Sequence, residues 1–153
     1  MAIKQALLVL ALGLALGACG DDPLPVLSST VTGQYGSGVT FQGVNGFARS
    51  RGETFLIAIG EGPLNCDSVD DTEPPDGNNA VMRPPSFDVG TYSGIFVNLY
   101  HNVGQFEGKG SNGADVEITA STAESVAGSV SFSFEDKGET YGLNGTFEVR
   151  RCP

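Results

Sequence analysis

Glycine punctuates this chain too densely for helices. It supplies 22 of 153 residues, roughly twice the usual share of about 7%. Inside a helix each glycine costs about 1 kcal/mol relative to Ala, whereas turns and bulges use its freedom. The segments between the glycines are short and rich in Val, Ile, Thr, Phe and Tyr, the residues that suit a pleated, half-buried surface. An all-β chain is the expectation.

Individual strands follow from the alternation. Val44 to Ser50 and Thr54 to Ile59 flank Arg51-Gly52, a hairpin turn. In the second of these, Phe55, Ile57 and Ile59 share one face and Leu56 and Ala58 the other, so it reads as buried on both sides. Ile95, Val97 and Leu99 alternate with Phe96, Asn98 and Tyr100 in another central strand, preceded by a turn at Val89-Gly90-Thr91-Tyr92. Val116, Ile118 and Ala120 oppose Asp115, Glu117 and Thr119, the pattern of a sheet with one wet side. Val130, Phe132 and Phe134 alternate with serines in the same way, and Asp136-Lys137-Gly138 turns the chain back into Tyr141, Leu143, Phe147 and Val149. About eight strands at this spacing argue for a single domain over residues 30–153, an antiparallel β-sandwich or small barrel. One helical signal interrupts them. Ser121-Thr122-Ala123-Glu124 has the form of a capping box, with Gly128 as its stop; it leaves room for one turn of helix or a plain loop.

One connection is long. Glu61 to Ser86 carries Asp67, Asp70, Asp71, Glu73 and Asp76 among several prolines. Clustered hard oxygens are what calcium uses, with about six to eight ligands. Pro74-Pro75 breaks the ligand register of an EF-hand, and a solvated acidic loop is the plainer reading of this segment. The sequence assigns no cofactor.

Catalytic signals are weak. His101 is the sole histidine and follows Leu99-Tyr100 at a strand end, so a Ser-His-Asp machine would have to use it. No serine stands in G-x-S-x-G, and Ser111, in glycine-rich surroundings, reads as a turn residue. Phe41, Phe47, Phe87, Phe96, Phe106 and Tyr100 could line an apolar ligand pocket or form the core, the latter being the simpler use. All 18 acidic residues lie after residue 18, and the formal net charge is −10. With no basic stripe to neutralise phosphates, nucleic acid is excluded as a partner.

The start of the chain gives an address. Lys4 precedes an apolar run from Ala6 to Leu16, followed by Gly17-Ala18-Cys19. A positive start, an apolar core of about 7–15 residues and small residues at a cleavage site define a secretory signal. The run is too short for a spanning helix, which needs about 20 apolar residues, and Asp21-Asp22-Pro23 follow at once. Leu16-Gly17-Ala18-Cys19 resembles the lipobox of bacterial lipoproteins, at which the cysteine is lipidated and the leader removed just before it. Plain secretory cleavage fits less well, because Leu16 stands where an A-x-A site wants a small residue.

That resemblance implies a signal-peptide helix over 1–18, a lipidated tether over 19–29, and attachment to a membrane through the lipid on Cys19. The diacylglyceryl group of the family supplies two chains, enough for stable anchoring where one is marginal. In that family an Asp directly after the cysteine favours inner-membrane retention; Gly20 stands here, so the outer membrane is the expected destination. Asp21-Asp22 resembles an acidic tag for surface export, which leaves periplasmic and external display both open. With Cys19 carrying lipid, Cys66 and Cys152 remain as a pair in an oxidising compartment; two free thiols are the alternative. Gly128-Ser129-Val130-Ser131-Phe132 and Asn144-Gly145-Thr146-Phe147 resemble the closing strands of uncharacterised β-rich lipoprotein domains, which brings no activity with it. The sequence thus points to an envelope lipoprotein whose β-domain is a structural or interaction module with an unknown envelope partner. An apolar-ligand carrier is the second reading and a hydrolase the third.

Overall fold

The alternating segments become ten strands in the computed structural model, which describes residues 22–68, 76–103 and 105–153. They are β1 (Ser28–Ser29), β2 (Thr32–Tyr35), β3 (Val39–Gln42), β4 (Asn45–Arg51), β5 (Thr54–Gly60), β6 (Gly77–Arg83), β7 (Gly90–Val103), β8 (Gln105–Ser121), β9 (Ser125–Asp136) and β10 (Glu139–Arg151). No helix occurs among the described residues. Strands β4 to β9 pair antiparallel in chain order, and β10 pairs with both β9 and β4, closing a ring of seven. Closure removes the exposed sheet edges that an open sandwich must protect. Of the two architectures the sequence allowed, the barrel is the one formed. Strands β1, β2 and β3 lie outside the ring.

The ring closes at a narrow seam. One edge of β10 is occupied by β9 from Glu139 to Arg150. Its other edge is divided among three partners: Gly142 to Asn144 pair with β2, Phe147 and Glu148 with β1, and Arg150 and Arg151 with β4 in parallel. The edge changes partner at Gly145, whose φ of 137° lies in the region only glycine adopts without strain, and where a Cβ would collide with the Thr30 backbone. The parallel β10–β4 pairing spans two residue pairs and is continued by the Cys152 amide donating to the Ala48 carbonyl at 2.7 Å.

The core lies on both sides of the barrel wall. Inside, Ile57, Ile59, Met82, Val97, Leu99, Val116, Ile118, Phe132, Leu143 and Val149 belong to one buried cluster. Outside, Phe47, Leu56, Ala58, Leu64, Val81 and Cys152 form a second, against which Leu24, Cys66 and Tyr100 pack. Strand β5 is therefore buried on both faces, as its two apolar sets require: Ile57 and Ile59 enter one cluster, Leu56 and Ala58 the other. Burying each of these Leu and Ile side chains is worth about 1.5–3 kcal/mol.

Several expectations are corrected. The connection from Glu61 to Ser86 is not one loop, because Gly77–Arg83 forms β6 between β5 and β7. Its first residues, Gly-Asn-Asn, disfavour strand, yet Asn79 is fully buried and satisfies the Gly62 N–H through its Oδ1 while donating to the Asp76 carbonyl. Gly90 to Tyr92 is strand rather than turn, and the β7–β8 register shifts twice beyond it, between Tyr92 and Ile95, where Gly94 has φ 72°, and between Ile95 and Val97. A third irregularity, in β8 after Ile118, turns Ala120 out to solvent. Ser121-Thr122-Ala123-Glu124 forms no helix: β8 runs through Ser121, and the Thr122 hydroxyl accepts from the amides of Glu124 and Ser125, bending the chain straight into β9. Thr residues offer the backbone this local alternative to a helix. Gly128 is interior to β9 rather than a stop.

Near the start of the described chain, the segment read as tether is already held. Leu24 donates to the Leu64 carbonyl, Leu27 donates to the Glu148 carbonyl, and Ser28–Ser29 pair with β10. Residues 1–18 and Cys19 lie outside the described residues.

Candidate functional site

Cys66 and Cys152 are joined in a disulfide with their Cα atoms 5.7 Å apart. The bond crosses the barrel's narrow seam: Cys152 directly follows the β10 residues that pair with β4, and Cys66 belongs to the segment covering the outer face of β5. Arg49, on β4, donates to the Cys66 carbonyl at 2.5 Å, fixing that segment from the other side. The staple and its neighbours are structural.

The acidic candidates for calcium are only partly placed. Asp70, Asp71 and Glu73 lie outside the described residues. Asp67 is exposed and stands 3.8 Å from the Arg51 guanidinium, and Asp76 offers its backbone carbonyl to Asn79. Among the described residues no three His, Cys, Asp or Glu side chains converge as a metal would need.

His101 and Ser111 belong to different environments. The His101 Nδ1 lies 2.6 Å from Asn78 Oδ1 and its ring packs 5.6 Å from that of Tyr35. Ser111 sits within β8, not at a turn, and its hydroxyl donates to the Asn112 carbonyl. Of the six aromatic residues proposed for a pocket, Phe41, Phe47 and Phe87 are core, Phe96 and Tyr100 are half-buried, and Phe106 is 53% exposed with its ring against Tyr100.

A cleft opens elsewhere, where β8 and β9 part. Their last backbone pair is Asp115 with Ser131; beyond it β9 continues with β10 alone and β8 with β7 alone. The opening, of about 510 Å³, is lined by Tyr35, Glu107, Gly108, Lys109, Asp136, Lys137, Glu139 and Tyr141. Each wall has a local cause. Lys137 and Gly138 form a two-residue hairpin loop with φ of 53° and 83°, the left-handed pair of a type I′ turn whose twist matches the strands it joins. That turn brings Asp136 and Glu139 side by side as a register pair. Lys109 reaches across from β8, its ammonium 2.5 Å from Asp136 Oδ2 and 5.7 Å from the centre of the Tyr141 ring.

Aromatic rings form the floor. Tyr141 stacks on Phe134 with centroids 5.0 Å apart and meets Tyr35 edge-on at 5.1 Å. The Tyr141 hydroxyl donates to Glu139 Oε2 at 3.0 Å. The Tyr35 hydroxyl has no hydrogen-bond partner among the described residues, although the residue is only 5% exposed. Leaving a buried hydroxyl unpaired costs on the order of 1–3 kcal/mol, so this one stands out in a chain whose other buried polar groups are mostly satisfied.

Electrostatics follow the same geometry. The hydrogen bond to Asp136 holds the Lys109 ammonium above its ordinary range, and the same bond holds the Asp136 carboxyl below its own. Burial raises the Tyr35 phenol, reinforced by the charge of Glu107, and burial followed by the bond to Glu139 raises Tyr141. Both phenols stay protonated and can donate at neutral pH.

A second groove, of about 340 Å³, lies on the face shared by β3, β2, β10 and β9, lined by Thr32, Gly33, Gln34, Thr40, Gln42, Ser133, Thr140, Gly142 and Asn144. Its chemistry is hydroxyl and amide throughout, with no charge.

None of the cleft residues was singled out as a site from the sequence. Asp136, Lys137 and Glu139 read as a turn and its flank, and Tyr141 as core. The available signal was composition: the chain has three lysines, and two of them stand in this one cleft. Compared with protein-family models, curated proteins and solved structures, the chain matches none. Fold and site together define a disulfide-stapled, seven-stranded β-barrel domain with a charged cleft beside its splayed strands.

Proposed function

We propose that the chain is a lipoprotein of the bacterial cell envelope, anchored in the outer membrane through lipid on Cys19, with the barrel as a non-enzymatic binding or interaction module. One observation carries the anchorage. Cys66 and Cys152 are joined to each other, and the cysteine left over is the one that ends Leu16-Gly17-Ala18-Cys19. A disulfide suits an oxidising compartment outside the cytosol, and an odd cysteine in an exported chain needs its own explanation. The acidic surface suits solubility at the envelope and disfavours nucleic acid.

Intact-mass analysis of the protein purified from its host tests the anchorage, together with membrane fractionation of wild type against Cys19→Ala. The expected wild type begins at residue 19, carries acyl chains and sediments with outer membranes, while Cys19→Ala is released from them. A mature product with residue 19 bare, or with the leader still attached, overturns the reading.

The binding-module reading, including the ligand-carrier variant, draws on the cleft rather than on the core aromatics. Its aromatic floor, mixed charges and orphaned hydroxyl are the features of a site that orients a small ligand by a few polar groups.

A further inference from the structure

We infer that the cleft between β8 and β9 binds a small zwitterion, one bearing a free ammonium and a free carboxylate such as a short peptide, which takes over the two halves of the Lys109–Asp136 ion pair above the orphaned Tyr35 hydroxyl. The inference rests on the reading of the barrel as a binding module and names the ligand class of that same site.

Three observations converge on it. The first is the cleft itself, lined by three carboxylates (Glu107, Asp136, Glu139) and two ammoniums (Lys109, Lys137) around two tyrosine rings. The second is the Tyr35 hydroxyl, on the same wall, buried and without a hydrogen-bond partner among the described residues. No described residue accepts its proton, and a ligand carbonyl or carboxylate seated there would give it an acceptor. The third is the ion pair that bridges the gap where backbone pairing has ended. Both of its side chains remain about a third exposed, and exposed pairs of this kind separate at little cost.

Charge decides the ligand. A molecule seated against Tyr35 displaces water from both Lys109 and Asp136. A ligand of one sign would pair with one of them and leave the other desolvated and unpaired, which charge complementarity penalises. A zwitterion compensates both: its carboxylate meets Lys109, with Lys137 nearby, and its ammonium meets Asp136, with Glu107 and Glu139 nearby. The rings of Tyr35 and Tyr141 add a face for the ammonium or for an apolar side chain.

The test is calorimetric titration of the purified full-length chain with trialanine, N-acetyl-trialanine and trialanine amide. Trialanine is expected to bind with a Kd below about 1 mM, and each blocked form at least about tenfold more weakly. Tyr35→Phe is the decisive variant because it removes an unpartnered group: its melting temperature should be no lower than wild type, while its affinity falls about tenfold. Asp136→Asn should weaken trialanine and tighten the N-acetyl form, which then meets a freed Lys109 and leaves no carboxylate unpaired. No binding of trialanine, equal binding of all three peptides, or full affinity in a folded Tyr35→Phe would each overturn the inference. Anchorage is read separately by fractionation, so a chain that sediments with membranes yet ignores trialanine refutes this proposal alone.

Discussion

Removing the staple tests the reasoning about the seam most directly. The perturbation is the double variant Cys66→Ser, Cys152→Ser, or reduction of the wild type. The bridged residues are 86 apart, and closing a loop of that size removes about 4–5 kcal/mol of chain entropy from the unfolded state. A second contribution comes from the native side. The β10–β4 pairing spans two residue pairs, and the outer cluster of Phe47, Leu56, Ala58, Leu64 and Val81 is covered by the segment that Cys66 belongs to. Without the bond, that covering segment and the seam can open together. At about 3–5 °C per kcal/mol for a domain of this size, the melting temperature should fall by roughly 15 °C. Differential scanning calorimetry of oxidised, reduced and double-variant protein reads the total. Amide exchange locates it: protection should drop first at Phe47, Ala48 and Cys152, while β7 to β9 hold. A shift under about 3 °C, or a loss of protection spread evenly around the ring, would refute the claim that the seam is the weak point.

Other outcomes follow from single features. Leu99→Ala, at a fully buried position inside the barrel, should cost about 2–5 kcal/mol in denaturant unfolding. Gly138→Ala, at φ 83° in the hairpin loop, should cost about 1–2 kcal/mol, whereas Lys137→Asn should be neutral or stabilising because Asn-Gly favours a type I′ turn. In an alkaline absorbance titration, Tyr35, Tyr100 and Tyr141 should ionise above the ordinary value of 10.0, each chiefly through burial. A phenol held high in the folded state contributes stability below its unfolded value and loses it as pH rises through the folded one, so the fold should weaken progressively above about pH 10. Asp136 runs the other way. Its carboxyl, lowered by Lys109, favours the fold above the ordinary value of 3.8 and loses that contribution as pH falls through its folded value, which a carboxyl NMR titration reads directly.

Much of the fold was legible because period-two alternation is a local signal. The β4–β5 hairpin, the doubly buried β5 and the β9–β10 hairpin all follow from apolar residues at every second position with a glycine turn between. The features that escaped are non-local or bulged. Strand β6 opens with Gly-Asn-Asn, whose strand character comes from Asn79 being bonded to Gly62 and Asp76 across the β5–β6 neck. The register shifts beyond Tyr92 and after Ile118 reset the alternation, the first marked only by Gly94, one glycine among 22, and the last by no glycine at all. The cleft escaped for a related reason. Lys109 and Asp136 are 27 residues apart, and nothing in either neighbourhood announces that β8 and β9 diverge there. The disulfide was legible through cysteine parity, because three cysteines with one assigned to lipid leave a single pairing.

The divided edge of β10 also sets an order of events. Strands β4 to β9 can zip together as successive hairpins, but the ring waits for β10, the strand that follows all of them and joins back to β4 about a hundred positions earlier. Contacts of such long sequence separation form slowly, on the scale of milliseconds to seconds. Until they form, the edge of β4, the flank of β9 and the apolar lining lie open to other chains. A protein built this way profits from being kept apart from its own copies while it emerges, and its yield should depend more on how it is delivered and oxidised than on how stable it finally becomes.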